Sequence, residues 1–471
     1  MNPLGAVHQK APSWVHEPAR QVEIYGEYDV AVIGGGPAGL AAAISAARHG
    51  ARTVLIERYG FLGGMGTAGG VTNFAGLYGQ RDGQMQQLVR GVVDELLERI
   101  EKLGGLNQPQ DGLQGRIRVR SYDIPAYKCA ADQMLLASGV ELLFHAWAAA
   151  VVMGEELMRD ESTRDEPHLN AVIVETKSGR RAVRAREFID ASGDADVAAF
   201  AGVPFELGDG AGSALFPSTM FRIGNVDAEQ ALAAVGEFKA IDALMSAAAD
   251  RYDFPRQGAI LRPQRNPREW RANVTQLRNA QGLAVDATDA RQLSAAEVEG
   301  RRQIVEYMRF LRAEVPGFAA AELLDIATQV GIRESRRVCG AYALTGEDVL
   351  SSARFDDVIG LNAWPLEVHA AGRIEWGFPR DAARAFNHLP YRMLRPQGVA
   401  NLHIAGRCAS MEHLGQSAAR ASGGCFVMGQ AAGTAAALRL RLRTGADEVP
   451  LALLQSTLQS TLKRDGVELD T

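Results

Sequence analysis

Tyr28-Asp-Val-Ala-Val-Ile-Gly-Gly-Gly-Pro-Ala-Gly39 decides how this chain folds. Val30 to Ile33 is a short apolar run rich in β-branched residues, the pattern of a parallel strand buried on both faces. Gly34, Gly36 and Gly39 follow in G-x-G-x-x-G spacing, with Pro37 and Ala38 between them. Gly34 suits the tight turn out of the strand, Gly36 lets the backbone approach a pyrophosphate, and Gly39 lets a helix pack close to the strand. The N–H groups left free at the start of that helix then face the phosphates, with the helix dipole favouring their charge. An Ala-rich run to Gly50 carries the helix. Arg52-Thr-Val-Leu-Ile-Glu57 is a second strand that ends in an acid 18 residues after Gly39. A carboxylate there accepts hydrogen bonds from the ribose hydroxyls of an adenosine. The glycines alone would mark only a loop; strand, glycines, helix, strand and acid in this order predict a dinucleotide site.

Outward from this unit, Arg58 to Gly70 contains seven Gly or Ala among thirteen residues. Such a stretch is either a flexible loop or a backbone that must hug a flat ligand; its position after the acid-ended strand favours the second. Apolar spacing predicts a helix over 84–103, and Asp123 with Pro125 predicts an N-cap opening a helix to about Ser138. Val140 to His145 reads as a strand. The stretch to Met153 and the run Asn170 to Phe188 read as a β-meander, with the charged insertion Met158–His168 as its hairpin loop. Ile189-Asp-Ala-Ser-Gly-Asp-Ala-Asp196 is another strand–turn–helix junction, in which Asp190, Asp194 and Asp196 either cap the turn or face a ligand. Residues 205–385 change character, mixing helices at 228–249 and 295–312 with Pro- and Arg-containing connections. Within them Arg333, Arg336 and Arg337 crowd beside Glu334, which fits either mutually paired charges or a guanidinium aimed at an anionic substrate. Leu402 to Ala405 is a late strand ending at Gly406. Cys425 to Leu438 is a helix of small residues that can sit against another backbone or a flat ring.

The 471-residue length suggests two or three connected domains, and 47% hydrophobic with 23% charged residues is ordinary for a globular enzyme. A net charge of −6 without a long basic run argues against nucleic acid as main partner. Four scattered cysteines without a C-x-x-C pair argue against a zinc site or disulfide framework and suit a reducing cytoplasm. No stretch reads as a signal peptide or a membrane span. The expected layout is an N-terminal extension at 1–27, a discontinuous nucleotide-binding domain at 28–205 and 386–445 with a helical insertion at about 70–138, a substrate or cap domain at 206–385, and a C-terminal tail at 446–471.

The chain resembles the FAD-dependent oxidoreductases of the glutathione-reductase-like, two-dinucleotide-motif superfamily. It is most similar to a bacterial branch marked by Gly331-Ile-Arg-Glu-Ser-Arg-Arg337, Pro390-Tyr-Arg392 and Ala405-Gly-Arg-Cys-Ala-Ser410 leading to Met428-Gly-Gln-Ala-Ala-Gly-Thr434. The resemblance implies an α/β fold: a Rossmann-like FAD-binding domain with a parallel sheet and a β-meander, plus an inserted α+β substrate domain. It implies that Gly34, Gly36 and Gly39 bind the FAD pyrophosphate and that Glu57 holds the ribose. Arg58, Gly63, Gly64, Met65 and Thr67 would line the ribityl and flavin path. Ser192, Gly193 and Asp194 match a second contact, Gly406 and Arg407 lie at the late strand end, and Gly429, Gln430 and Ala431 lie near the flavin pyrimidine edge. No His or Cys stands in the Gly-rich run at 60–70, so FAD is expected to be non-covalent.

The flavin ring would carry the redox chemistry while protein groups position the substrate and move its proton. Candidates by position are His413, His388, Tyr391 and Arg392, with Arg333, Arg336 and Arg392 suggested as substrate contacts by relatives that act beside a carboxylate. The expected reaction moves a hydride between flavin N5 and a small organic molecule, an anion among the options, with an electron acceptor that the sequence does not name and with room for a homo-oligomer. The alternatives are a flavin-dependent monooxygenase or oxidase, a non-catalytic FAD-binding or tRNA-modification-type protein, a disulfide reductase using Cys408 and Cys425, and, by motif alone, an NAD-dependent dehydrogenase. A metal is not expected.

Overall fold

The computed structural model describes residues 14–154, 167–236, 239–442, 449–460 and 467–470. Its central strand is β1 (Glu23–Ile33), flanked in parallel by β2 (Thr53–Glu57) and, further along the chain, by β6 (Gly179–Asp190). β3 (Glu141–Phe144) extends the parallel sheet beyond β2. β4 (Trp147–Gly154) and β5 (His168–Thr176) run antiparallel onto the first half of β6 as a meander. The far half of β6 pairs in parallel with the late strand Leu402–Ile404 instead. One long strand thus belongs to the meander at its start and to the Rossmann-like sheet at its end. Val30, Ala31 and Val32 are fully buried, as a strand covered on both faces requires. Of the expected hairpin loop Met158–His168, residues 158–166 lie outside the described residues.

α1 (Pro37–Arg48) follows the glycine turn, and α2 (Ser422–Leu442) packs along it. The small residues of α2 set the spacing. A Cβ added at Gly429 would stand 2.7 Å from the carbonyl carbon of Ala38, and one at Gly433 would stand 2.8 Å from that of Ala42. Backbone meets backbone one turn apart on both helices, which larger side chains would prevent.

A second sheet is antiparallel, in the order β8 (Ile260–Pro263), β9 (Trp270–Asn273), β7 (Phe221–Gly224), β10 (Glu322–Ile326). The pleat sends alternate residues to opposite faces. Phe221, Ile223, Trp270 and Ala272 pack with Tyr307 and Phe310 of the helix Ala290–Glu314. Ile260, Arg262, Arg271 and Asn273 face the other way, into a cavity. The fold is therefore α/β, a Rossmann-like sheet with a meander and an additional α+β layer.

Several local expectations are corrected. The stretch 70–138 is not purely helical. Tyr78–Arg81 and Gln84–Gln87 form a hairpin on Asp82-Gly83, both residues at positive φ, and the helix begins only at Val92 after Gly91 at φ 100°. The helix expected at 228–249 is two, Ala228–Val235 and Lys239–Ala247, the first ending at Gly236 at φ 42°. Asp289 caps the next helix through the Arg291 and Gln292 N–H groups, so it starts at Ala290 rather than 295. Residues 23–27, expected in a loose extension, belong to β1. In the expected tail, Leu451–Ser460 is helical, and Asp470 pairs with Arg384 at 3.0 Å.

Candidate active site

One cavity runs from the glycine turn after β1 to the polar face of β8 and β9. At its first end Gly34 takes φ 100°, and an added Cβ would stand 2.7 Å from the Ala191 carbonyl carbon. Gly39 is just as confined, 2.9 Å from the Gly34 carbonyl carbon. Gly36 is different. A Cβ there would meet only Gly64 Cα, at 3.7 Å. Neighbouring protein atoms therefore do not require a glycine at 36, and the space beside it opens into the cavity. Pro37 and Ala38 line the same end, at the start of α1.

Glu57, at the tip of β2, lines the cavity and is braced from two sides. Its carboxylate accepts from Gly35 N–H at 2.6 Å and Tyr59 N–H at 2.9 Å. Burial pushes its pKa up despite these bonds. The Arg58 guanidinium lies over the rings of Tyr59 and Trp147, each 5.1 Å away, and donates to Gln329 Oε1 at 2.9 Å. Gly64 and Met65 line the cavity from a short 3₁₀ turn. Gly63 and Thr67 stand behind it: Gly63 N–H donates to Gly35 O at 2.8 Å, and the Thr67 hydroxyl donates to Leu62 O at 2.7 Å.

Ser192 and Gly193 line the cavity where β6 ends, and Gly406 and Arg407 do so after the late strand. Asp194 lies behind them. Burial would raise its pKa, but Arg407 at 2.9 Å and Arg58 at 3.9 Å outweigh that and hold it below the usual range. Asp196 lines the cavity. Burial and the neighbouring Asp194 and Asp190 raise its pKa to about 6. Gly429, Gln430 and Ala431 do not line the cavity: Gly429 abuts Ala38, the Gln430 side chain accepts from Val92 N–H at 2.9 Å, and Ala431 is buried. The part of α2 that reaches the cavity is its start, Ser422 and Cys425, after Arg420 and Ala421.

The proposed catalytic residues separate widely. Arg333 faces the cavity, buried, donating to Phe216 O and Ser218 Oγ at 2.7 Å and to Asn273 Oδ1 at 3.2 Å. Arg336 turns the other way, to Asp194 O at 2.9 Å and Asp196 Oδ1 at 3.0 Å. His413 opens the helix His413–Ala419, where Nδ1 lies 2.9 Å from Glu334 Oε2; that carboxylate also pairs with Arg337. Tyr391 is buried away from the cavity, and burial raises its phenol to about 12. Arg392 is exposed, 3.6 Å from Asp357 and over the Tyr342 ring. His388 lies 3.5 Å from Asp470. Only Arg333 of these reaches the cavity.

Sequence reading missed the rest of the chamber: Arg262 and Arg271 on β8 and β9, Arg420 before α2, and Glu367 and His369 on the strand Leu366–Ala370. Two-residue alternation within Ile260–Pro263, Trp270–Asn273 and Leu366–Ala370 was the available signal, in strands of only four or five residues. His369 Nε2 lies 3.2 Å from Glu367 Oε1, and Trp364 Nε1–H donates to Glu367 Oε2 at 3.0 Å. Burial and then Arg333 hold the His369 pKa well below its ordinary value, so the ring is neutral. With Nε2–H directed at Glu367, Nδ1 keeps its lone pair and has no protein partner among the described residues. Burial would raise Glu367, but its hydrogen bonds and Arg420 bring it to about 2.

A glycine turn into a helix, an acid-tipped second strand and a late strand meeting the same cavity are the layout of a dinucleotide-binding protein. The profile of the FAD dependent oxidoreductase family matches residues 29–458, and the chain belongs to that family. It is accordingly an FAD-dependent enzyme. No curated protein matches the sequence. Among solved structures the chain is similar to a geranylgeranyl bacteriochlorophyll reductase-like protein from Thermoplasma acidophilum (13% identity, 93% of this chain and 85% of that one, TM-score 0.45). It is also similar to p-nitrophenol 4-monooxygenase PnpA from Pseudomonas putida DLL-E4 (12%, 89% and 82%, 0.45) and to the flavin-dependent brominase Bmp2 (14%, 93% and 85%, 0.47). Among the described residues no helix is long and apolar enough to cross a membrane.

Proposed function

We propose that this enzyme moves a hydride between FAD and a small organic anion. The observation that carries the reading is the continuity of one cavity from the glycine turn at Gly34–Gly36 to the guanidinium groups of Arg271 and Arg333, neither of which makes an ion pair with a described carboxylate. A buried cation without a counter-ion is costly, and a bound anion removes that cost.

In this reading residues 28–205 and 386–445 hold the cofactor and 206–385 hold the substrate. The Gly34–Gly39 turn and the start of α1 take the pyrophosphate, Glu57 the ribose, and Gly64, Met65 and the start of α2 the ring end. When bound, FAD supplies a ring that accepts or returns a hydride. The chain's own residues do the remainder. Arg271 and Arg333 fix the anion and so orient the reacting carbon. His369 Nδ1 takes the proton from the atom beside that carbon, or returns it, with Glu367 holding the ring and stabilising the imidazolium that forms. The apolar walls at Trp364 and Ile117 exclude water.

An anaerobic screen of hydroxy acids, enoates, amines and sugars, followed at the visible flavin band, tests this. Bleaching by at least one carboxylate is expected. Bleaching by neutral sugars with every anion inert, or protein that takes up no FAD, refutes it. Reduced enzyme that turns over only when oxygen is admitted, giving hydroxylated product, would replace hydride transfer with oxygenation.

A further inference from the structure

The chamber has two unlike walls. On β8 and β9, Arg262 and Arg271 are direct cross-strand partners, and Arg271 is also opposite Arg222 on β7. Like charges directly opposite one another in a ladder repel and destabilise it. Arg222 is neutralised, 2.6 Å from Asp325 and 3.5 Å from Glu269. Arg271 is not: it donates to Met220 Sδ at 3.3 Å, and its buried Nε has no partner among the described residues. Arg333, the next guanidinium in the chamber, has only neutral acceptors. Burial and then Arg262 lower the Arg271 pKa to about 9, the response of a cation waiting for an anion. The acid in this end, Glu367, is already engaged by His369, Trp364 and Arg420, the last 3.8 Å away.

The other wall is apolar. Ile117, Val119 and Trp364 pack together with Trp376 against them, the two indoles edge to face at 6.0 Å. Trp376 is the cross-strand partner of Glu367 and so shares its face. The walls adjoin at the hairpin that carries Ile117, where a Cβ added to Gly112 would lie 3.2 Å from Ile117 and 3.4 Å from Arg262 Nη2. Beyond Arg262, a second carboxylate of a small diacid would face indole and isoleucine rather than a donor.

We propose that the chamber takes an aryl-substituted carboxylate, its carboxylate between Arg271 and Arg333 and its ring against Trp364 and Trp376. The proposal rests on the hydride-transfer reading for its purpose, but its binding chemistry is separately testable. Titration calorimetry of the FAD-loaded protein with phenylacetate, phenylacetamide and succinate reads it directly. Phenylacetate is expected to bind roughly tenfold or more tighter than either of the others, the amide lacking the charge and succinate lacking the ring. Arg271→Gln should bring phenylacetate down to the affinity of phenylacetamide. Trp376→Ala should weaken both aryl ligands and leave succinate unchanged. The wild-type series keeps the test decisive should either variant fold poorly. Succinate binding as tightly as phenylacetate, or phenylacetamide matching the acid, overturns the proposal. Protein that binds phenylacetate as expected but bleaches with no substrate supports this proposal and removes the hydride-transfer one.

Discussion

Replacing Gly429 by Ala sets two effects of opposite sign against each other. Gly429 lies inside α2, where Ala is favoured over Gly by about 1 kcal/mol, so propensity alone predicts a stabilised protein. The structure predicts the reverse. The new Cβ would lie 2.7 Å from both the carbonyl carbon and the Cα of Ala38, about 0.7 Å inside the 3.4 Å at which ordinary contact begins. The obstacle is backbone of α1, which no rotamer change can move aside. The helices must separate, and overpacking of this kind costs about 1–3 kcal/mol. That exceeds or cancels the propensity gain. It also moves the first turn of α1, whose N–H groups are assigned to the pyrophosphate, so FAD affinity should fall roughly tenfold, about 1.4 kcal/mol. Thermal unfolding and FAD titration by flavin fluorescence measure the two effects. Gly104→Ala is the control. Its φ of 73° strains the backbone locally, but a Cβ there meets nothing within 4 Å, so it should lose about 1 kcal/mol of stability and no FAD affinity. A Gly429→Ala protein that melts higher than the parent and binds FAD equally well would refute the backbone contact.

Two further outcomes are expected. Arg392→Ala should leave turnover of any identified substrate within about twofold, because an exposed pair with Asp357 contributes little, whereas Arg333→Gln should lower kcat/KM about a hundredfold with FAD content unchanged; equal effects from the two would defeat the placement of the substrate. Stability should fall on acidification in two limbs, since folded His369 and Glu367 both bind fewer protons than their unfolded forms: the His369 share is intact above 6.5 and is lost below it, and the Glu367 share is intact above 4.5 and is lost towards about 2. Thermal midpoints across this range for wild type and Glu367→Gln should differ in the lower limb, and a mutant profile that parallels wild type throughout would contradict the pairing.

The cofactor half was legible because its constraints are local in sequence. Gly34, Gly36 and Gly39 are needed within one turn, and Glu57 must end the next strand, so spacing alone carries the information. The meander was legible from long alternating strands. The substrate half was not, because its residues come from strands of four or five residues whose partners are distant: Arg262 and Arg271 meet across one ladder, and Glu367 is fixed by Trp364 and Arg420. Nothing in the spacing of these residues announces a chamber. His413 was misread for a related reason. Its place between the late strand and the last helix suggested a substrate-side histidine, yet its ring is spent on Glu334. Of the two uses open to the small residues of α2, another backbone or a flat ring, Gly429 and Gly433 serve the first, against α1.

The run Gly331 to Arg337 shows how one short segment joins the two halves. Its side chains divide between the two ends of the cavity. Arg333 reaches into the chamber and, through Phe216, Ser218 and Asn273, is tied to β9 and the segment leading to β7. Ser335, two residues on, accepts from Arg407 at 2.7 Å and donates to Gly193 O at 3.1 Å, both at the cofactor end. Glu334 points away, taking Leu215 N–H at 2.8 Å together with His413 and Arg337. Gln416 then donates to Arg333 O at 2.9 Å and Arg407 O at 3.4 Å, closing the joint from behind. A shift of this segment therefore moves Arg333 and Arg407 together. In the proposed reading, binding of an anion at Arg333 should accordingly be felt at Arg407 through Ser335 and Gln416.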